Sequence, residues 1–298
     1  MAVLEVLIPT YRRRAGLATT LAGLFGQTRR DFDVVISDQT EGESPLESAE
    51  LVTLVRAFAL RGQRVRAFRH LPRRGMAEQR QFLLDQSAAP YVLFLDDDLL
   101  LEPEVVDRML RVIQEEGCGF VGCAPIGLSH VDDYRPHQHN LEVWEGPVRP
   151  EPYTFETVPW ERHLAHNAAN PLHLGWKHAG RGVVRYKVAW VGACVLYDRQ
   201  KLVDCGGYTW WSELPPEHCG EDVLAELMVM SRYGGCGILP SGVYHLELAT
   251  EVPNRKTNTD ELIKKYLKPS PTDEQVPAAR GLQPGGRAHQ PCSRAADG

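Results

Sequence analysis

The sequence predicts an α/β fold with a mixed, mostly parallel sheet flanked by helices. Short apolar runs of strand length alternate with longer segments of helical period through the first 125 residues. The strand starts lie about 30 residues apart, a spacing that suits repeated βα units. In addition, polar residues follow several of the apolar runs directly, as they do where parallel strands end at a binding crevice.

Five buried strands are predicted in the first half of the chain, at Val3–Ile8, Asp33–Ser37, Val65–Arg69, Tyr91–Leu95 and Phe120–Cys123. Four helices are predicted between them, at Gly16–Phe25, Leu46–Leu60, Met76–Gln86 and Pro103–Glu116. Glycines at 26, 62 and 117 mark helix ends, and Pro103 suits a first helical turn.

The second half is less regular. Residues 127–183 have little periodicity and contain seven of the eleven histidines, which favours a long functional loop. Regular structure is then predicted at Lys187–Tyr197 (strand), Asp222–Arg232 (helix) and Gly237–His245 (a short strand or turn). We expect one domain over residues 1–250, with halves 1–125 and 126–250. Residues 251–298 form an extension that we expect to be disordered after about residue 268.

Composition restricts the function. The net charge of −6 disfavours a general nucleic-acid binder. No apolar run approaches the roughly 18 residues of a membrane span, and the first residues read as a strand instead of a signal peptide. Seven cysteines without paired CxxC spacing are typical of reduced thiols. We therefore expect a cytoplasmic protein, with peripheral membrane contact left open.

The most informative motif is the acidic triplet Asp96-Asp97-Asp98, which follows the apolar run Tyr91–Leu95. Crowded carboxylates repel one another, so something positive is expected beside them. A hard divalent cation, Mg²⁺ or Mn²⁺, takes carboxylate oxygens and often shares a nucleotide diphosphate. The alternative is an acidic turn before the helix near Pro103.

Three sets of residues lie just past predicted strand ends: Pro9-Thr10-Tyr11, Asp38 and the acidic triplet. Ligands on mostly parallel sheets bind beyond the carboxyl ends of the strands. The sequence therefore predicts that these residues converge on one crevice.

Four segments in order resemble family 2 glycosyltransferases, which have the GT-A fold. They are Val6–Arg13, Val34–Asp38, Leu95–Asp98, and a late set made of Gly192-Ala193-Cys194, Gly206-Gly207-Tyr208 and Gly220-Glu221-Asp222. Each motif is weak by itself, and the ordered set is specific. The resemblance covers residues 3 to about 245.

The resemblance implies a site for a nucleotide diphosphate sugar, with UDP favoured as the nucleotide. Asp38 would accept a hydrogen bond from the base, and Thr10 and Tyr11 would frame the base and ribose. The implied donor-site residues are Pro9, Thr10, Tyr11, Arg13, Asp38, Arg74, Gly75, Arg80, Asp96 and Asp97. The family usually has Asn after the helix arginine, where this chain has Gln81. The alternatives are a turn-forming role for Asp38, rim packing for Tyr11 and a solvated basic turn at Arg73 and Arg74.

The same resemblance implies a metal ion, Mn²⁺ or Mg²⁺, that stabilises charge on the departing diphosphate. Asp98 would be a metal ligand and Asp96 would help it, while Asp97 would hold the ribose hydroxyls. His245 is a candidate second ligand, and its nitrogen would favour Mn²⁺. An ordinary half-buried histidine is the alternative for His245.

For the transfer step, the resemblance makes Asp222 the general base of an inverting reaction and Glu221 its orienting partner. Simple charge decoration of a helix start is the alternative. Trp210 and Trp211 are candidate acceptor platforms, although packing is the more common use of tryptophan. The acceptor is left open among a sugar, a lipid-linked sugar, a small metabolite and a protein.

Other readings remain. His137-Gln138-His139 and His163–His166 have spacings that a zinc site uses, but no cysteine pair frames them. A sugar-nucleotide nucleotidyltransferase would normally open with a glycine-rich phosphate loop, which Val6–Arg13 lacks. A non-catalytic nucleotide- or carbohydrate-binding module is a further alternative. Met230–Tyr233 lacks the QxxRW pattern of processive members, which favours single addition.

Overall fold

A computed structural model describes residues 2–250 and 257–267. Its centre is an eight-stranded sheet with the strand order β3-β2-β1-β4-β9-β6-β10-β8. These strands are β1 (Leu4–Thr10), β2 (Phe32–Asp38), β3 (Val65–Arg69), β4 (Tyr91–Leu95), β6 (Phe120–Gly122), β8 (Val184–Tyr186), β9 (Cys194–Asp198) and β10 (Gly235–Leu239).

The sheet is mixed. β3, β2, β1 and β4 are parallel, and so are β6 and β10. β9 runs antiparallel between β4 and β6, and β8 is an antiparallel edge strand on β10. The predicted fold class is therefore confirmed. The antiparallel strands were not predicted as such, because apolar periodicity carries no information about pairing direction.

Helices cover both faces of the sheet. They are α1 (Arg14–Phe25), α2 (Ala49–Leu60), α3 (Met76–Asp85), α4 (Val105–Glu116), α5 (Asn170–Lys177), α6 (Arg199–Asp204), α7 (Glu221–Tyr233) and α8 (Asp260–Tyr266). Gly117 ends α4 with a left-handed φ of 58°, as a C-terminal glycine does. Gly26 ends α1 with a right-handed φ of −74°, so the end of α1 does not require a glycine.

The central strands alternate between two cores because successive side chains of a strand point to opposite faces. Val6 and Ile8 belong to the core that contains α1 and α4, whereas Leu7 belongs to the core that contains α3 and α7. Burial on both faces explains the nearly continuous apolar runs of β1 and β4.

A second, three-stranded sheet has the order β5-β11-β7. Its strands are β5 (Leu99–Leu101), β7 (Ile126–Gly127) and β11 (Val243–His245). Leu99, directly after the acidic triplet, is paired with His245. This small sheet was not predicted, since strands of two or three residues are too short to show a period.

Two predicted strands were wrong in extent. The strand expected at Lys187–Tyr197 is β9, which starts only at Cys194. Before it, Gly192 and Ala193 have left-handed φ values of 71° and 61°, which end any regular strand. The element expected at Gly237–His245 is in fact two strands, β10 and β11.

The histidine-rich segment 127–183 is a long connection that contains α5 and several short 3₁₀ turns. Among the last residues that the structure describes, α8 packs on α7, and Thr259 Oγ1 donates to the carbonyl of Gly220 at 2.7 Å. The disorder predicted after about residue 268 lies outside the described residues.

Candidate functional site

The acidic triplet lies at the carboxyl end of β4, and its three side chains point to three different partners. Asp97 accepts a hydrogen bond from Thr10 Oγ1 at 2.6 Å, across from β1. Asp98 contacts Arg13, and Asp96 accepts from Arg80 Nη2 at 3.0 Å. The backbone is crowded as well, because a Cβ on Gly16 of α1 would lie 2.7 Å from the Asp97 carbonyl oxygen. Thus, α1 and α3 hold the triplet from two sides.

The positive charge expected beside the triplet is supplied here by two arginines. The Arg13 guanidinium contacts both Asp97 and Asp98, and its Nη2 donates to the Ala249 carbonyl at 2.8 Å. Burial raises the pKa of Asp97 to about 7, while the Thr10 hydroxyl and Arg13 act in the opposite direction. Asp97 is therefore protonated more readily than an exposed aspartate.

His245 reaches the triplet from β11. Its Nε2 lies 3.5 Å from Asp98 Oδ2, and the backbone N–H of Leu246 donates to the Asp98 carbonyl at 2.8 Å. The Glu247 N–H donates to His245 Nδ1 at 2.7 Å. In this arrangement the neutral imidazole carries its proton on Nε2, facing Asp98.

The donor types at this point suit a hard divalent ion only in part. Asp98 offers carboxylate oxygens that fit Mg²⁺ or Mn²⁺. His245 fits as a ligand only after its tautomer reverses and the Glu247 N–H bond opens. Within residues 2–250 and 257–267, no three His, Cys, Asp or Glu side chains converge as a metal-binding group.

Glu221 and Asp222 start α7 after Gly220, which has a left-handed φ of 84°. Glu221 accepts from Arg80 Nε at 3.2 Å. Asp222 is half-buried and accepts from the N–H of Val223 at 2.9 Å. Burial raises the pKa of Asp222 to about 6, repulsion from Glu221 adds to the rise, and Arg80 opposes it. A carboxylate with this pKa suits a general base that works near neutral pH.

Arg80 joins the two acidic groups. Its guanidinium is 4% exposed and bridges Asp96 on one side and Glu221 on the other. Two motifs 125 residues apart in sequence, Asp96 and Glu221, thus lie within the span of one side chain. Acidic residues from the two halves of the chain therefore lie close together.

On the nucleoside side, the structure gives Asp38 a turn-forming role. Asp38 is 0% exposed and accepts from the N–H of Thr40 at 2.9 Å and from the hydroxyl of Ser44. These bonds shape the loop after β2, and they leave the carboxylate no surface to offer a base. Both oxygens accept hydrogen bonds from the loop in this arrangement, and the contact of Asp38 with a base stays a prediction.

Pro9 is buried in the β1–β2 ladder, opposite Ser37. Tyr11 is half-buried beyond the end of β1, and the Arg73 guanidinium lies 4.0 Å from its ring centroid. An aromatic face with cationic neighbours can hold a flat, anionic ligand.

The turn into α3 is built differently from the prediction. Gly75 has a φ of 100°, and a Cβ there would lie 2.6 Å from the Pro216 carbonyl oxygen. In this structure the backbone of Gly75 therefore packs closely against the turn at residues 215–218. Arg74 is exposed, and its guanidinium lies 6.0 Å from the Trp211 ring centroid. Gln81, which replaces the family's usual Asn, accepts from the Tyr208 N–H at 2.8 Å and so ties α3 to the segment before Trp210.

The two predicted acceptor tryptophans have different surroundings. Trp210 is 3% exposed and packs beside Tyr208, with ring centroids 5.8 Å apart. In this arrangement the Trp210 indole offers almost no accessible face, and its role as an acceptor platform stays a prediction. Trp211 is half-buried and keeps some accessible surface.

Three of the four histidines considered for zinc contact protein groups, and His137 is exposed. His139 Nε2 is 3.1 Å from Asn170 Oδ1, and His166 Nε2 is 3.0 Å from the Tyr186 hydroxyl. His163 stacks on Trp190 with centroids 3.8 Å apart. These contacts support a structural role for this part of the segment.

Sequence reasoning missed His218 and Glu226. His218 Nε2 accepts the N–H of Ala77 at 3.2 Å, and its Nδ1 lies 2.7 Å from the Pro215 carbonyl. It therefore caps the start of α3, a long-range contact that leaves no local pattern. Glu226 lies one turn after Asp222 on α7, and that spacing was the available signal.

With this geometry established, comparison with known proteins identifies the class. The family model for glycosyl transferase family 2 matches residues 5–179, more than half of the 298-residue chain. The chain belongs to this family. No helix of residues 2–250 and 257–267 has both the length and the apolar character to cross a membrane.

Among particular proteins, the chain is similar to an uncharacterized glycosyltransferase of Haemophilus influenzae, with 30% identity over 113 residues. That match covers 38% of this chain and 35% of the relative, so the chain aligns with about a third of the relative's length.

Among solved structures, the chain resembles residues 1–349 of S. aureus TarS, with a TM-score of 0.52 and 16% identity over 81% of this chain and 60% of that one. The same protein in complex with UDP-GlcNAc gives a TM-score of 0.53 and 14% identity over 84% of this chain and 60% of that one. At this identity the likeness is one of fold, the GT-A fold.

Proposed function

We propose that this chain is a metal-dependent, inverting glycosyltransferase that moves a sugar from a nucleotide diphosphate sugar to an acceptor hydroxyl in single additions. The observation that carries the proposal is the position of Arg80 between Asp96 and Glu221, at 3.0 and 3.2 Å. The proposed metal-binding triplet and the candidate base pair are thereby held close together, which supports a transfer between two substrates.

Asp222 is the proposed general base. A sugar hydroxyl is a poor nucleophile until its proton is removed as the new bond forms. The raised pKa of Asp222, about 6, keeps it ionised at neutral pH yet basic enough to take that proton. Glu221, held by Arg80, orients it.

The proposed donor site lies between the end of β1 and the triplet. Tyr11 and Arg73 offer an aromatic face and a charge for the nucleotide, and Arg13 offers a cation for the diphosphate. Pro9, Thr10, Arg74, Arg80, Asp96 and Asp97 complete the proposed wall, while Asp38 and Gly75 act by shaping it. UDP is the favoured nucleotide, in line with the UDP-GlcNAc complex of TarS.

Asp98 is the proposed metal ligand, with Asp96 assisting and His245 joining after the tautomer change described above. A bound Mn²⁺ or Mg²⁺ would stabilise the negative charge that grows on the diphosphate as the sugar departs. Residues 1–250 are the proposed catalytic domain. Trp211 is the more accessible candidate platform for an acceptor, which we propose to be a sugar, a lipid-linked sugar, a small metabolite or a protein.

Thermal unfolding with UDP, GDP and dTDP, each with and without Mn²⁺ or Mg²⁺, tests the donor site. A ligand at 100 times its Kd stabilises the folded form by about 2.7 kcal/mol. We expect the largest rise in melting temperature with UDP and metal together. No rise with any nucleotide and metal would contradict the proposal.

Release of UDP from UDP-sugars, with a panel of acceptors, then tests the roles. Asp98→Ala should lose both metal-dependent stabilisation and turnover, whereas Asp222→Asn should lose turnover and keep nucleotide binding. Unchanged turnover in both variants would contradict the assigned roles.

A further inference from the structure

Glu226 is a buried carboxylate that neither the donor site nor the base pair explains. It is 0% exposed and lies on α7, one turn after Asp222. A buried carboxylate is costly unless hydrogen bonds satisfy it. Glu226 Oε2 accepts the N–H of Val191 at 2.8 Å, and Oε1 accepts the N–H of Gly192 at 3.1 Å.

The two donors belong to the irregular segment before β9, and this segment contacts both parts of the site. A Cβ on Gly192 would lie 2.8 Å from Asp222 Oδ2, so the backbone of Gly192 lies directly against the base. The next residue, Ala193, accepts the N–H of Asp96 at its carbonyl oxygen at 2.9 Å. Residues 191–193 therefore border the base on one side and the acidic triplet on the other.

This segment needs an anchor. Gly192 and Ala193 both have left-handed φ values, 71° and 61°, and a non-glycine residue such as Ala193 occupies that region at a cost. The surroundings must therefore hold it in place. Its consecutive N–H groups at 191 and 192 both point to Glu226, which makes this carboxylate the anchor.

We propose that Glu226 is a positioning residue that sets the place of the Asp222 carboxylate by holding residues 191–193 against it. The proposal rests on the proposed function, in which Asp222 is the base. Glu226 itself touches no substrate and acts through the segment.

The electrostatics of Glu226 agree with this role. Burial raises its pKa to about 8, and the charge of Asp222 adds to the rise. The N–H groups of Val191 and Gly192 and the charge of Arg80 on α3 oppose it. An apolar residue would avoid the desolvation cost but would leave two buried N–H groups without acceptors.

Glu226→Gln tests the inference, because glutamine keeps the shape but can accept with only one side-chain atom. The control is Leu227→Ala on the same helix. Leu227 is a core residue that takes no part in the hydrogen bonds of Asp222 or Glu226, so its truncation should lower stability alone. Both full-length variants are compared with the wild-type protein by hydrogen–deuterium exchange and by steady-state kinetics.

In Glu226→Gln we expect amide exchange in a peptide covering 188–194 to quicken by about tenfold or more, since one of the two backbone N–H groups loses its acceptor. The kcat should fall by about tenfold to a hundredfold through misplacement of the base, and the donor KM should change much less. Leu227→Ala should keep kcat. Its amide exchange at 188–194 should quicken no more than its loss of global stability explains.

Unchanged exchange at 188–194 in Glu226→Gln would overturn the inference, and so would an equal fall of kcat in Leu227→Ala. If the wild-type protein transfers no sugar from any donor, the proposed function fails, and the exchange measurement still decides whether Glu226 holds the segment.

Discussion

Arg80 and Glu221 form a buried ion pair, with Nε and Oε1 3.2 Å apart, that connects α3 to the start of α7. The same guanidinium also pairs with Asp96. Since α3 follows β3 and α7 precedes β10, this pair ties the early βα units to the later part of the sheet. The Arg80 side chain therefore both holds α3 against the start of α7 and fixes Asp96 and Glu221 of the proposed site.

Replacement of Arg80 should therefore destabilise the fold strongly. Arg80→Met keeps much of the volume but leaves Asp96 and Glu221 without their buried cation. Breaking one side of a buried pair costs about 3–5 kcal/mol, which a shift of the urea midpoint would measure. Arg14→Met, which removes the exposed pair between Arg14 and Glu50, is the control and should leave the midpoint nearly unchanged. Equal shifts in the two variants would contradict the central role of Arg80.

Activity should depend on the ionisation of Asp222. Its pKa is raised from 3.8 to about 6, so the carboxylate is protonated below that pH and cannot act as a base. We expect kcat/KM to fall about tenfold per pH unit below pH 6 and to level off above about pH 7. Asp107→Asn, on the surface of α4, should keep this profile. A wild-type profile that is flat from pH 5 to 7 would argue against Asp222 as the base.

Gly192→Ala should impair activity more than its effect on stability explains. A Cβ at this position would lie 2.8 Å from Asp222 Oδ2 and displace it. Gly182→Ala is a matched control, because Gly182 has a φ of 70°, close to the 71° of Gly192, and nothing lies within 4 Å of its Cβ position. Both changes should cost about 1–2 kcal/mol for the left-handed backbone.

Only Gly192→Ala should lower kcat. The measurement is a pair of urea curves with kcat values for the two variants. Similar kcat values in both would show that the approach of Gly192 to Asp222 is unimportant for the reaction.

His245→Ala should separate the two roles open to this side chain. If the imidazole joins a metal ion, the variant loses more affinity for Mn²⁺ than for Mg²⁺, because nitrogen ligands favour Mn²⁺. Titration calorimetry of each metal in the presence of UDP measures this difference. His130→Ala, which removes a more distant imidazole near Glu247, is the control. Equal, small changes for both metals would leave His245 as a polar neighbour of Asp98 without a role in metal binding.

The sequence predicted the layers of the fold and the position of the acidic triplet at the end of β4. The apolar runs of β1, β2 and β4 mark a sheet buried on both faces, and polar residues at their ends mark the crevice. The resemblance then supplied Asp98 and Asp222 with roles that the residues alone did not specify. Those roles are carried into the proposed function as predictions.

Detailed contacts could not be predicted in the same way. Asp38 was expected to face a base, but Thr40 and Ser44, two and six residues later, take its oxygens. The hydrogen bond from the start of α3 to His218 and the hydrogen bond from Val191 to Glu226 each join residues far apart in the chain. Such contacts depend on tertiary packing, which local periodicity does not record.

The pairing of Leu99 with His245 means that strand register, instead of loop conformation, sets the imidazole beside Asp98. A shift of one residue in β11 would turn that ring to the opposite side of the small sheet and bring Tyr244 in its place. The long connection at 128–183 takes no part in this register. It reaches His245 indirectly, because Ser129 donates hydrogen bonds to the Glu247 carboxylate, and the Glu247 N–H donates to His245 Nδ1.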